Sequence, residues 1–123
     1  GLKAISESKI LSELEVLYLK SNRLGNNGGR ILADSPYWRN LKELYLHGAY
    51  IGQEGVEALF GSSVLKNVKK LNLSYNGLDD RVADVFISTG INFTILDLYG
   101  NKLSQAAVER IRGSGIIQKL LCD

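Results

Sequence analysis

Along this chain, apolar and polar positions first alternate and then switch period, and they do so four times. Leu17-Tyr18-Leu19, Leu44-Tyr45-Leu46, Leu71-Asn72-Leu73 and Leu96-Asp97-Leu98 repeat with period two, which predicts short strands with leucines on one side and the intervening residues on the other. A polar turn follows each, and the apolar spacing then becomes helical. Gly28, Ile31 and Leu32 form one such set, and Gly55, Ala58 and Leu59 the next. Val82, Val85 and Phe86 form another, then Ala107 and Ile111. Trp38, Leu65, Ile91 and Ile116 each close a unit as a last apolar residue. Strand, turn, helix and return is the predicted unit.

The unit has a fixed spelling. Leu14-x-x-Leu17-x-Leu19-x-x-Asn22-x-Leu24 recurs from Leu41, Val68 and Phe93, at spacings of 27, 27 and 25 residues. Full repeats are expected over 14–40, 41–67, 68–92 and 93–116, with a half repeat over 1–13 and a partial one over 117–123. Gly1-Leu2-Lys3-Ala4-Ile5 aligns with Gly55-Val56-Glu57-Ala58-Leu59, and Ile117-x-x-Leu120-x-Cys122 opens a further copy. A single unit cannot bury its own leucines, so successive copies must stack with parallel strands on one side and helices on the other. Helices are wider than strands, so the stack is expected to bend with the strands on its concave wall. Asn22, Asn76 and Asn101 stand at the turn, where an amide can both donate to and accept from backbone groups beyond the sheet ladder. Ala49 breaks this series. A local loosening is expected there, or a substitute from water, His47 or Tyr50.

With 123 residues, 45% hydrophobic and 23% charged, the chain suits one globular domain over 1–123. Its net charge of +2 names neither a nucleic acid nor an anionic membrane as partner. No apolar run is long enough to span a bilayer. The single cysteine, Cys122, cannot form an intramolecular disulfide, which favours a reducing, cytoplasmic setting, a bacterial secreted effector or surface being the alternative.

These motifs resemble the leucine-rich repeat family over essentially the whole chain. The downstream Gly28…Leu32 and Gly55…Leu59 and the 27-residue period resemble its ribonuclease-inhibitor-like subfamily, although Val82 and Ala107 replace the glycine later. The resemblance implies an α/β solenoid, a right-handed β-α superhelix with short parallel strands on the concave face and helices on the convex one. It further implies an intracellular or bacterial scaffold that binds protein partners through the concave face and repeat edges.

On such a scaffold the functional residues are the strand positions pointing away from the leucines. These columns hold Val16, Glu43, Lys70 and Ile95, then Tyr18, Tyr45, Asn72 and Asp97, then Lys20, His47, Ser74 and Tyr99. Tyr75 stands at the lip. Tyr18, Lys20, Glu43, Tyr45, His47, Lys70, Asn72, Tyr75, Asp97 and Tyr99 are the candidate partner-binding set, since tyrosine joins large apolar area to a polar tip. The plainer reading is that tyrosine suits any exposed strand.

No catalytic residue, metal or cofactor is expected. His47 is the sole histidine, with no nucleophilic partner expected at repeat spacing and no second imidazole. Cys122 takes a leucine position; Lys66, Lys69 and Lys70 read as a solvated edge; Asp79, Asp80 and Ser104 read as helix caps. The function expected is a non-enzymatic protein-interaction module. The alternatives are a fragment self-associating through open repeat ends, and the recognition or autoinhibitory segment of a larger effector or enzyme.

Overall fold

The computed structural model describes residues 2–7, 12–19 and 23–122. Helices and strands alternate: α1 (Leu2–Ser6), β1 (Val16–Tyr18), α2 (Gly25–Asp34), β2 (Glu43–Tyr45), α3 (Gln53–Phe60), β3 (Lys70–Asn72), α4 (Arg81–Thr89), β4 (Phe93–Asp97), α5 (Gln105–Gly113) and β5 (Ile117–Leu121). A 3-10 turn, Val64–Asn67, leads into β3. The strands form one parallel sheet of five in the order β1-β2-β3-β4-β5. Each begins one residue before the alternating triplet read from the sequence or earlier, and pairing continues one residue beyond its end: Leu19, Leu46 and Leu73 donate their N–H groups to Tyr45, Asn72 and Asp97 carbonyls at 2.8–2.9 Å.

Register follows the repeat without a slip. Leu17, Leu44, Leu71, Leu96 and Leu120 are opposed in one row. Shifting any strand by one residue would turn its leucine to water, so burial fixes the pairing. That row and the next (Leu19, Leu46, Leu73, Leu98) pack in one core with Leu32, Val56, Leu59, Val82, Phe86 and Ile111 of the helices. Phe60 joins the units, with ring centroids 4.7 Å from Phe86 and 5.8 Å from Phe93. Trp38 and Leu65 are fully buried as expected, whereas Ile91 and Ile116 are only half-buried. Burying a leucine is worth about 1.5–3 kcal/mol. The exposed interhelical pairs Arg30–Glu54 and Arg110–Asp84, both 2.6 Å, contribute about 0–1 kcal/mol each, so packing dominates.

Glycine sets the spacing of α2 and α3. A Cβ on Gly29 would lie 2.7 Å from Gly55 Cα and 2.9 Å from its carbonyl oxygen, so the α3 backbone comes this close to α2 because Gly29 has no side chain. Asn26 bridges the same helices, its Oδ1 accepting the Gly55 N–H at 2.8 Å.

The turn asparagines bind as the amide chemistry requires. Asn101 Oδ1 accepts the N–H groups of Asn76 and Leu78, both at 3.0 Å, while its Nδ2 donates to the carbonyls of Leu73 (2.9 Å) and Leu98 (3.0 Å). Asn76, itself buried, accepts from Ile51 N–H at 2.9 Å and donates to the carbonyls of Leu46 and Ser74. Asn22 lies outside the described residues. At Ala49 neither proposed substitute acts: His47 bonds Ser74, and Tyr50 is exposed. Instead the Ala49 N–H closes the turn on the Leu46 carbonyl at 3.3 Å, and its own carbonyl accepts from Gly25 N–H at 3.0 Å.

A second asparagine pair supports the strand entrances. Asn40 Nδ2 donates to Ser12 carbonyl at 3.1 Å and Asn67 Nδ2 to Arg39 carbonyl at 2.8 Å, each one unit back. Ser104 caps α5 as expected, accepting Ala107 N–H at 3.2 Å, and Asp79 accepts Arg81 N–H at 3.0 Å. Asp80 departs from the expected cap. Its carboxylate accepts the Ser104 hydroxyl and N–H, both at 2.6 Å, which tie it to the next unit and hold its pKa below the ordinary carboxylate value.

An asparagine at position 49 would stand where its amide meets the Leu24 N–H, the counterpart of Ile51 and Leu78. Ala49→Asn is therefore expected to stabilise by roughly 1 kcal/mol, the net value of a typical hydrogen bond. The check is the urea midpoint; an unchanged or lower value would show that this turn closes adequately on its backbone alone.

Candidate protein-binding face

The parallel register that buries the leucines also sorts the outward side chains into rows on the sheet face turned away from the helices. Val16, Glu43, Lys70, Ile95 and Lys119 form one row; Tyr18, Tyr45, Asn72, Asp97 and Leu121 form the next. His47, Ser74 and Tyr99 follow two residues further on in their units. Nine of the ten candidate residues are thereby brought onto this face or its lip. Lys20 lies outside the described residues.

The aromatic groups make two clusters. Tyr18 and Tyr45 stack with ring centroids 4.3 Å apart and planes 6° from parallel. Tyr18 remains 63% exposed on top of this pair. The Tyr45 hydroxyl donates to Glu43, and that carboxylate, with partial burial, pushes the phenol above its ordinary pKa. The proton therefore stays on Tyr45 through the range where a free phenol would lose it. At the lip, Tyr75 stands edge-on to His47 (5.1 Å between centroids) and tilted against Tyr99 (5.8 Å).

Tyr75 carries backbone strain. Its φ is 55°, in the left-handed region where glycine occupies the equivalent places, Gly48 (60°) and Gly100 (73°). Its ring lies against Gly100, where an added Cβ would fall 2.5 Å from the ring carbons. A bulky residue held in this conformation costs about 1–2 kcal/mol relative to glycine, and such strain gathers at functional sites.

Between the clusters runs a polar chain. The Ser74 hydroxyl donates to Asn72 Oδ1 at 2.6 Å and sits 2.7 Å from His47 Nδ1. Because its one proton points to Asn72, His47 Nδ1 is the donor of the second bond, an assignment that follows from the network. Asn72 Nδ2 reaches Asp97 Oδ2 at 3.5 Å, and Asp97 Oδ1 accepts Tyr99 N–H at 3.0 Å. The expectation that His47 lacks a nucleophilic partner at repeat spacing is thus corrected: Ser74, 27 residues on, is in contact with it. The pair is nevertheless the wrong way round for nucleophilic catalysis. Ser74 is only 2% exposed, its proton is committed to an amide, and the histidine donates to it where a general base would accept.

A shallow depression of about 180 Å³ opens among Tyr45, Lys70, Leu71, Asn72, Ile95, Asp97 and Leu121. Lys119 and Leu121 were not among the sequence candidates, although the copy beginning at Ile117 places them in the same columns. Tyr50 was also missed. It is 63% exposed at φ 59°, with the Arg23 guanidinium 5.7 Å from its ring centroid. Its signal was its place just after the turn position held by asparagine in three units. Among the described residues no cluster of His, Cys, Asp and Glu is arranged to hold a metal ion.

Residues 64–81, from the 3-10 turn through β3 and the asparagine turn to the first residue of α4, match the family model described as Leucine Rich repeat. That match supports the leucine-rich repeat family for this chain. No curated protein matches it. Leucine-rich repeats generally mediate protein–protein interaction and are generally non-enzymatic.

The strain at Tyr75 is open to a direct check. Tyr75→Gly and Tyr75→Ala both remove the ring, but only alanine keeps the left-handed penalty. Glycine is therefore expected to be the more stable variant by about 1 kcal/mol in chemical denaturation. Equal midpoints, or alanine the more stable, would remove the strain from the description of this site.

Proposed function

We propose that this chain is a non-enzymatic protein-recognition module whose outward sheet rows bind a protein partner, with Tyr18, Tyr45, Tyr75 and Tyr99 as anchors. The observation that carries the reading is the set of tyrosine rings on one rigid parallel sheet, with Tyr18, Tyr75 and Tyr99 at 63%, 51% and 48% exposure despite their size. Large rings left in water around hydrogen-bonded polar groups fit the composition of binding hot spots. Glu43, Asn72, Asp97 and His47 are already held by neighbours, so little side-chain entropy remains to be lost on docking.

The same proposal takes the repeat as a solenoid of the ribonuclease-inhibitor-like kind, one domain over 1–123, with the tyrosine face concave and the helices convex. The short helical units and the close approach of Gly29 to Gly55 support it. A reducing, cytoplasmic setting belongs to it too, supported by the lone free Cys122.

The test is affinity capture with the wild-type chain beside Tyr18→Ala/Tyr45→Ala/Tyr99→Ala. Proteins retained by the first and lost by the second are expected. Equal recovery of the same proteins by both would place binding elsewhere on the molecule.

A further inference from the structure

The connections from helix to strand carry charge of one sign. Residues 35–42, 61–69, 90–92 and 114–116 lead from α2, α3, α4 and α5 into β2, β3, β4 and β5, and they hold Arg39, Lys42, Lys66 and Lys69 with no Asp or Glu. On the helices, by contrast, cations meet acids, Arg30 with Glu54 and Arg110 with Asp84. Glu13 and Glu15 belong to the segment before β1, one unit back, and Glu15 pairs with Lys42. Asp34, at the end of α2, lines a different depression together with Lys3. Arg39, Lys66 and Lys69 are exposed and make no ion pair among the described residues. Helix-end carbonyls on this edge are also engaged, Leu59 by the Ser62 N–H and hydroxyl and Val85 by the Thr89 hydroxyl.

Three open depressions follow one another along this edge. The first, of about 260 Å³, is lined by Arg39, Asn40, Ser63, Lys66 and Asn67. The second, of about 450 Å³, shares Ser63 and Lys66 with it and adds Lys69, Asn92 and the half-buried Ile91. The third, of about 220 Å³, shares Lys69 and Asn92 with the second and reaches Gln118. No carboxylate lines any of the three. The spacing of the cations is held by the backbone, since Asn67 Nδ2 donates to the Arg39 carbonyl and Lys69 N–H to the Lys42 carbonyl, both at 2.8 Å. From β2 to β5 the row crosses three strand spacings of about 4.8 Å, or roughly 14 Å, which four or five extended residues would span.

We infer that this edge is a second interaction surface, separate from the tyrosine face, which takes an extended acidic protein segment whose Asp or Glu carboxylates pair with Arg39, Lys66 and Lys69. Charge complementarity names the occupant: three unpaired cations in a row lined by no acid favour an anionic visitor and repel a basic one. Their spread favours a chain over a small ion, because Arg39 lines the first depression and Lys69 the other two, so that a single phosphate would meet two of the cations at most. A nucleic acid strand would need rings on which to stack its bases. The aromatic residues lining the row, Phe60 and Phe93, are both buried. The inference does not depend on the tyrosine face binding anything.

The experiment titrates the whole chain by fluorescence anisotropy against three labelled probes: an eight-residue peptide of alternating Glu and Ala, the same peptide with Gln for Glu, and an eight-nucleotide single strand of thymidine. The proteins are wild type, Arg39→Gln/Lys66→Gln/Lys69→Gln, Tyr18→Ala/Tyr45→Ala/Tyr99→Ala, and Lys70→Gln/Lys102→Gln/Lys119→Gln, which removes three exposed cations elsewhere. Each is first checked for wild-type circular dichroism. The Glu peptide is expected to bind wild type, the tyrosine variant and the Lys70/Lys102/Lys119 variant alike, and to bind the edge variant roughly tenfold more weakly, the combined loss of three exposed ion pairs. The Gln peptide and the oligonucleotide are expected to bind wild type more weakly than the Glu peptide does. Absence of binding between the Glu peptide and wild type would overturn the inference. An equal loss in the Lys70/Lys102/Lys119 variant would overturn it too, by reducing the effect to net charge. An oligonucleotide that binds as tightly and loses as much on the edge variant would put a nucleic acid in place of the protein segment. Loss on the tyrosine variant, with the edge variant unaffected, would move the acidic segment to the tyrosine face.

Discussion

A turn that must stay buried governs this structure. Each strand is short, and the chain leaves the sheet while still inside the stack, since the leucines at the strand's end and just past the turn have to reach the core. The backbone groups of that turn lie beyond the ladder. A buried amide or carbonyl left unpaired costs about 1–3 kcal/mol, which would cancel the gain from a buried leucine. One asparagine side chain offers two donors and a carbonyl oxygen, enough to serve the turn before it and its own turn together. Asn101 and Asn76 do this, each clasping the preceding unit. The interaction is therefore structural glue and a register pin in the same atoms.

The outward face is a consequence of that register. With leucine opposite leucine in every strand pair, the residues between them are forced into rows on the other side. Tyr18 lands on Tyr45 because the two are one 27-residue repeat apart and paired in register, and the rings stack. His47 lands beside Ser74 for the same reason. Contacts that would be expensive to arrange on loops follow here from periodicity, and the rigidity of the core is passed to the surface. The strain at Tyr75 is the exception. There a tyrosine takes the backbone shape that the neighbouring units give to glycine, and the surrounding aromatic contacts hold it.

Much of this was legible in the sequence because it depends on period alone. The strand triplets, the leucine rows, the turn asparagines, buried Trp38 and the outward tyrosines all follow from which residues recur at the same offset. What the sequence hid were choices between partners of equal local merit. Asp80 stands where a helix cap would stand, yet Ser104 of the next unit offers two donors and takes its carboxylate. Ala49 suggested a replacement by His47 or Tyr50, but a backbone bond to Leu46 needed no side chain. Asn40 and Asn67 share the repeat spacing and were passed over because their position has no leucine-like signature. The hydrogen bonds that hold Glu43 to Tyr45 and Asp97 to Tyr99 and Asn72 were likewise invisible, since a sequence does not say which polar neighbours meet.

The most direct measurement of the governing interaction is amide hydrogen exchange on the native chain at Ile51, Asn76 and Leu78. Their N–H groups donate to asparagine side chains, two units supplying the acceptors. Protection comparable to that of the strand amides of Leu46 and Leu73 is the expected result. Exchange at the rate of an unstructured chain, with the strands still protected, would contradict it and leave the stack held by leucine packing alone.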